Sequence, residues 1–514
     1  MTFRKQSRSP LAAIEPRLRT LLPADLYAAM WMTPDVATLT NVFDHLRTLH
    51  RALMNYLPRE VIERLPTPGD VRFTWQEGAL MFTDLAGFTP LVEAGQASGR
   101  VGAETLLALL NRYFAEMIAI ISKSGGNLLE FTGDAMLTQF PANRRRNETA
   151  QAIRAGLRMQ RAMAQFARVE TAQGVFTFGM RIGIHSGRFL SAAIGTPRRM
   201  EQVLLGSAVR QAKHVETAGH VRRVCVSSAA HAQVDGQFSY EPLGSDFGLV
   251  IDDLTDDQLG EYEIAPSSRT AGPVLLDRSI GGIVRSIEHA VDLIEPLASY
   301  VPMPILNLVV EHAARRRIAP EFPDLTVMFV KLAGLAESVD LAATDEIPGL
   351  LASFSHLFAL ITAAVEARGG VLKNITHQNT GSDLLIFFGA PMAHPDDARR
   401  AAATALAVHE IVRNHTPPRI DGIPARIDCR IGMAYGPAFV AEIGEPNGRR
   451  EYNLLGDVVN TAARLVSHAR TGQILVTDPL NQLIGTNHNT RLLGPVALKG
   501  KEMSQLVFEL LRPR

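Results

Sequence analysis

With 514 residues the chain is too long for one hydrophobic core, and ordinary domain sizes predict roughly two to four domains. Lysine plus arginine and aspartate plus glutamate balance at 52 each, so no global basic field draws the protein to nucleic acid or anionic lipid. The two cysteines, Cys225 and Cys429, lie far apart without a C-x-x-C partner, which excludes a disulfide framework or structural zinc site and predicts a reduced, cytoplasmic protein.

Taken in order, residues 1–74 form a helical N-terminal segment. Leu39, Val42, Phe43, Leu46 and Leu49 recur at three- and four-residue steps, while Pro23, Pro34, Pro58 and Pro66 cut the segment into pieces that should pack on the next domain of the chain. The first residues lack the apolar run of a signal peptide. No membrane span is expected, because no stretch of about 18 uncharged apolar residues stands out. The nearest, Leu293 to Ala314, carries Glu295, Pro296, Pro302, Pro304 and Glu311. Trp31 and Trp75 are expected as core anchors.

Gly78 to Thr83 reads as an apolar strand that delivers Asp84 to a turn, Leu85-Ala86-Gly87-Phe88, after which Thr89 and Pro90 read as the N-cap and first position of a helix. Small residues and a helix N-terminus beside a carboxylate suit a metal and phosphates. A helix over Val101 to Ile121 comes next, then strands Leu128 to Phe131 and Ala135 to Phe140 joined at Thr132-Gly133-Asp134, a helix over Thr149 to Val169, and a strand Gly179 to His185.

This order recurs. Phe82-Thr83-Asp84-Leu85-Ala86-Gly87 is matched by Phe329-Val330-Lys331-Leu332-Ala333-Gly334, Arg181-Ile182-Gly183 by Arg430-Ile431-Gly432, and Leu204-Leu205-Gly206 by Leu454-Leu455-Gly456. The spacings are 247, 249 and 250 residues (331 − 84, 430 − 181, 456 − 206), so register is kept across a whole unit. The chain therefore holds two copies of one α/β domain, residues 75–265 and 322–514, separated by a connector at 266–321.

Their chemistry is unequal. Copy one carries Asp84 and Asp134 on adjacent turns, the oxygen donors that a pair of hard cations needs. Copy two has Lys331 and Ser382 there, with Asp383 one residue off and therefore expected on the opposite strand face. Copy two instead offers Asn460 and Arg464, one turn apart on a helix expected to bury Val459, Ala462, Ala463 and Val466. That pair suits gripping a ribose and a phosphoryl oxygen. Copy one has Arg210 and His214 there.

The motifs at 82–89, 133–137, 181–187 and 456–465 resemble the signature of the class III nucleotidyl cyclases, and the unequal tandem copies are most similar to the soluble adenylyl cyclase branch and its bacterial relatives. The resemblance implies an α/β (α+β) fold, with two ferredoxin-like βαββαβ domains in an intramolecular head-to-tail pseudo-dimer, hence a monomer. It implies cyclisation of ATP to cyclic AMP and pyrophosphate at one interfacial site, with a guanylate cyclase or a silent nucleotide- or anion-sensing module as the alternatives. In these terms Asp84, Asp134 and the Leu85 carbonyl hold two Mg²⁺, or Mn²⁺. Residues Ala86, Gly87, Phe88 and Thr89 face the substrate phosphates, Arg181 meets the β- and γ-phosphates, Asn460 orients the ribose and Arg464 meets charge on the α-phosphate. Lys373, with Asn374 beside it, and Asn453 stand where the base is read. Lys499 or Lys501 reaches the terminal phosphate. A degenerate second pocket, built from Glu130, Arg210, Lys213, His214 and Lys331, is the candidate regulatory site for bicarbonate or another small activator, although Glu130 replaces the lysine that such an anion site uses.

Overall fold

The computed structural model describes all residues except 1–9, 66, 145, 173, 261–271, 314–317, 378–380, 446–447, 486–487, 499–503 and 512–514. Each copy builds its own sheet. In the first the strands run Asn127–Thr132, Ala135–Pro141, Arg72–Ala86, Gly179–Thr196, Val224–Ser227, Phe247–Val250 and Tyr240–Leu243, with Arg199–Leu205 branching from Gly179–Thr196. The second runs Val371–His377, Ser382–Phe388, Asp324–Ala333, Asp428–Pro437, Ile474–Thr477, Gln505–Leu510 and Thr490–Val496. In both, the first four strands have the antiparallel order of a ferredoxin-like βαββαβ unit.

The strand that carries Asp84 is longer than its apolar centre suggests. Ala79 to Thr83 are buried on both faces, which is why no alternation marks them. The strand starts at Arg72, however, because Arg72 to Trp75 pair with Leu190 to Ala193 beyond the sheet's core. Those residues belong to an arm, formed by Gly179–Thr196 as it returns through Arg199–Leu205. In copy two Pro437, lacking an N–H, interrupts the corresponding strand, and the arm is a separate hairpin, Phe439–Gly444 with Arg450–Leu455.

The arms are exchanged. Phe439, Ala441, Ile443 and Leu455 of copy two pack into the core of copy one around helix Gly99–Lys123. Leu190, Ala192, Ile194, Val203 and Leu205 of copy one pack into the core of copy two around helix Ile347–Glu366. The polar contacts are equally reciprocal: Gly444 N–H donates to Asn111 Oδ1 at 3.1 Å, and Gly195 N–H donates to Ser355 Oγ at 2.9 Å. Each buried aliphatic or aromatic side chain contributes ~1.5–3 kcal/mol, so the two domains are held in a pseudo-dimer by shared cores.

Three expectations are corrected. The helical preface does not pack chiefly on the domain next to it in the chain. Leu39, Val42, Phe43, Leu46 and Leu53 of helix Val36–Tyr56 meet Ile283, Ile287, Val291 and Ile294 of connector helix Ile280–Ala298, and this layer covers Leu325, Val327 and Phe329 of copy two. Two helices, Gly99–Lys123 and Ile347–Glu366, are long and apolar enough to cross a membrane by length and composition, where none was expected. Half or more of each apolar window is buried within the molecule (50% and 56%), the packing of a core helix. Trp31 is 39% exposed, with Tyr27 edge-on beside it, and is not part of a buried core, whereas Trp75 is half-buried, packed against the core of copy two beneath the Arg188 guanidinium.

Candidate active site

Asp84 lies near the end of strand Arg72–Ala86, directly opposite Arg181 in the antiparallel ladder. The guanidinium ion-pairs with Asp84 and reaches Glu216 at 3.3 Å. Glu216 is buried and also takes Lys213 Nζ at 2.8 Å. Arg181 is thus held by two carboxylates, one of them Asp84. Asp134 comes after Gly133, whose φ of 71° makes the hairpin turn. Burial, and then the nearby Asp84 carboxylate, push Asp134 up to about 7. A buried acid raised by a second carboxylate marks a place short of positive charge, so this donor set fits divalent cations. Leu85 has a buried side chain in the ladder opposite Met180, so its carbonyl is what it could offer.

The turn between strand and helix is built by two residues. Gly87 has φ 87°, and a Cβ there would lie 2.3 Å from the Thr177 carbonyl, so a side chain is excluded on both counts. Phe88, not Thr89, occupies the cap of helix Thr89–Ala97, because its ring is buried and tilted against Phe178. No side chain caps this helix, and Thr89 and Phe88 line the cleft.

The opposite wall comes from copy two. After Gly456, helix Asp457–His468 buries Val458, Thr461, Ala462, Leu465 and Val466. Val459 and Ala463 are half-buried: they pack at the edge of the core, as expected, and also line the cleft with Asn460. Arg464 is half-buried, one turn beyond Asn460, and has no hydrogen bond or ion pair among the described residues. Together these walls bound a cleft of ≈ 180 Å³.

Lys373 and Asn374 also line this cleft, in roles that the ladder separates. A bulge lies between Leu372 and Asn374, and Asn374 pairs with Leu385 as Glu130 pairs with Leu137. Asn374 is therefore the internal counterpart of Glu130, and the two meet, with Asn374 Nδ2 donating to Glu130 Oε1 at 3.3 Å. Lys373 is bulged out and buried, its ammonium 2.5 Å from Glu451. Asn453 is fully buried; its Nδ2 donates to the Gly133 carbonyl at 2.9 Å and its Oδ1 accepts from Leu454 N–H. Its amide is used to hold the turn that bears Asp134. Lys499 and Lys501 lie outside the described residues.

The corresponding turn of copy two is sealed. Lys331 and Asp383 are directly opposite in the ladder, so Asp383 shares the face of Lys331 rather than turning away, and they pair at 3.3 Å. The Glu337 carboxylate accepts from Gly334 N–H at 2.8 Å and from Gly381 N–H at 2.7 Å. Gly334 and Gly381 are the counterparts of Gly87 and Gly133, and Pro90 stands where Glu337 does. A built-in carboxylate thus occupies both donors of the copy-two turn. The residues expected to form one regulatory pocket have separate commitments. Arg210 pairs with Asp340 at 2.8 Å, Lys213 faces the cleft of Asp134 while paired with Glu216, and His214 packs edge-on to Phe247. Glu216, Glu337 and Glu451 do not stand out in the sequence as site residues. Glu216 is three residues after Lys213 on one helix, and Glu337 completes a Gly-x-x-Glu cap, so both had a local signal.

Two α/β domains that share cores, with carboxylates of one and an amide of the other facing a cleft between them, have the architecture of a two-domain nucleotide cyclase. The model of the adenylate and guanylate cyclase catalytic domain matches residues 74–246 and again 318–510, and the chain belongs to this family. Adenylate cyclase 1 of Rhizobium meliloti is 26% identical over 217 residues, covering 41% of this chain and 32% of its own length. Adenylate cyclase type 10 of Mus musculus is 22% identical over 409 residues, 76% of this chain and 24% of its own. The chain therefore spans about a quarter to a third of the length of these relatives. A solved structure, a class III adenylyl cyclase-like ATP-binding protein from Pseudomonas aeruginosa, shares the fold with a TM-score of 0.51 over 86% of this chain and 92% of that one, at 12% identity.

Proposed function

We propose that the chain cyclises ATP to 3′,5′-cyclic AMP at the one cleft between its domains. The observation that carries this is the division of labour: Asp84 and Asp134 face Asn460 across the cleft, while the reciprocal turn holds Lys331, Ser382 and the Glu337 carboxylate. In the reaction the ribose 3′-hydroxyl gives up its proton to water, its oxygen forms a bond to the α-phosphorus, the bond from that phosphorus to the bridging β-phosphate oxygen breaks, and pyrophosphate leaves with the electron pair. Two Mg²⁺, or Mn²⁺, held by Asp84, Asp134 and the Leu85 carbonyl, would lower the pKa of the 3′-hydroxyl and offset charge on the phosphates.

The chain's own groups do the rest. Asn460 orients the ribose, and the Arg464 guanidinium, without a protein partner among the described residues, is available to the charge that grows on the α-phosphoryl oxygens. Arg181 keeps Asp84 aimed, and Asn453 keeps the Gly133 turn aimed. The helix N-terminus after Gly87, without a side-chain cap, favours phosphate oxygens. Lys373 and Asn374 are the groups in reach of a base, and the relatives' names favour ATP over GTP. We place the protein in the cytoplasm as a monomer. Bicarbonate activation would require the anion to displace Asp340, Glu216 or Asp383 from its cation.

Purified full chain incubated with Mg²⁺ or Mn²⁺ and either ATP or GTP tests this reading. Cyclic AMP from ATP is expected, and Asp84→Ala should abolish it with the circular dichroism spectrum unchanged. Cyclic GMP alone would reassign the substrate. No cyclic nucleotide under any condition, with ATP still bound, would leave a silent sensor.

A further inference from the structure

The first domain carries a cleft of its own, of ≈ 420 Å³, which shares no described lining residue with the cleft between the copies. It lies along one face of helix Glu148–Ala162, where Gln151, Arg154 and Arg158 follow at three- and four-residue steps, and Ser124, Arg146 and Gln237 supply the other walls. Among the described residues that line it, three carry a guanidinium and none a carboxylate.

Two polar atoms on these walls lack partners. Ser124 closes helix Gly99–Lys123 and is only 2% exposed, yet its Oγ has no hydrogen-bond partner among the described residues. The carbonyls at that helix end already accept from the N–H groups of Ser124, Gly125 and Gly126, so the hydroxyl has no task there. Arg154 Nε is likewise buried without a partner, and its guanidinium makes no ion pair among the described residues. The group lies 5.7 Å from the centre of the Phe238 ring, which steadies it without neutralising it. Buried polar groups are ordinarily satisfied, so a hydroxyl and a charged N–H donor on one cleft point to an absent acceptor.

The surrounding charge says that the acceptor is an anion. Arg154 and Arg158, four residues apart on one helix face, repel each other. Arg158 is fixed by the Leu259 and Gly260 carbonyls at 3.1 and 3.0 Å, so this charge stays beside the cleft. The N-terminus of the same helix favours negative charge, and Glu148 of its first turn is not among the residues lining the cleft. Apart from Ala150 the described lining is polar, and the volume is that of a small-ligand site.

We propose that this cleft binds a small phosphomonoester on a hydroxylated body, of the size and chemistry of a sugar phosphate. The phosphoryl oxygens accept from the Arg154 guanidinium and the Ser124 hydroxyl, and the Gln151 and Gln237 amides meet the sugar hydroxyls. Bound there, the ligand ties the end of helix Gly99–Lys123 to the face of helix Glu148–Ala162 and stabilises the folded chain by mass action.

Calorimetric titration of the full chain with glucose 6-phosphate, glucose and inorganic phosphate tests the assignment. Glucose 6-phosphate should bind at least tenfold more tightly than either of the others. Arg154→Gln should weaken it at least tenfold, and so should Gln151→Glu, which sets a carboxylate beside the arginines. Asn460→Ala, in the cleft between the copies, should leave this affinity unchanged. Should one of the two helix variants fail to fold, the other carries the comparison. The proposal is overturned by any of four results: no binding of the ester, glucose or inorganic phosphate binding as tightly, an affinity unchanged in a folded helix variant, or a loss confined to Asn460→Ala. The titration needs neither nucleotide nor metal, so failure of the cyclase assay leaves it standing.

Discussion

Arg464 stands one helical turn from Asn460 with no protein carboxylate among the described residues to hold it, so its removal should leave the fold alone and show in turnover. Arg464→Ala is expected to lower kcat by ~10²–10³, about 2.7–4 kcal/mol of barrier, in a steady-state cyclase assay. Asn453 has the opposite profile. Its amide closes the Gly133 turn across the domain interface, and Asn453→Ala should destabilise the chain by about 1–3 kcal/mol in urea unfolding and raise the Mg²⁺ concentration needed for half-maximal activity. His185, whose Nδ1 contacts Ser227 Oγ, is pushed down to about 4 by burial. Folded His185 stays neutral while the unfolded chain takes up its proton near 6.5, so its contribution is complete above 6.5 and lost as pH falls to 4. The stability difference between wild type and His185→Asn should therefore shrink by on the order of 3 kcal/mol between about pH 7 and about pH 4. Glu201, raised to about 7, titrates the other way but equally in both proteins.

Short turns carry the asymmetry between the copies, and Glu337 is the clearest instance. Glu337→Ala strips the acceptor from Gly334 and Gly381 N–H and recreates the open donor set that Pro90 leaves in copy one. Inorganic phosphate should then raise the melting temperature of Glu337→Ala more than that of wild type, whose one open turn is in copy one, as read by differential scanning fluorimetry. Local elements of this kind were largely legible in the residues. The Asp84 turn, the Gly133-Asp134 hairpin and the Lys331 substitution could be placed because strand, turn and helix signals lie within a few positions of one another. Asp383 was misplaced because its face depends on which residue the neighbouring strand sets opposite it, and that is Lys331 itself. The bulge that separates Lys373 from Asn374 was invisible for the same reason.

Across the whole molecule, the repeat predicted two domains, and their head-to-tail pairing came from the resemblance; neither showed which surfaces they share. Asn453 finds Gly133 at a separation of 320 residues, and Tyr56 finds Glu442 at 386, distances over which no local pattern speaks. With one open turn and one sealed turn, titration of a non-cyclisable ATP analogue with Mg²⁺ should saturate at one nucleotide per chain. A second equivalent would show that Glu337 does not close its turn. The exchanged arms also set a timetable for the protein's birth. Helix Gly99–Lys123 is made long before Phe439, Ala441 and Ile443, the residues that complete its cover. At roughly 5–20 residues per second, more than about 300 residues of synthesis amount to something between a quarter of a minute and a minute. Through that interval the nascent first domain presents a greasy seat to solvent, the kind of surface that a chaperone recognising apolar segments covers, until the second half arrives.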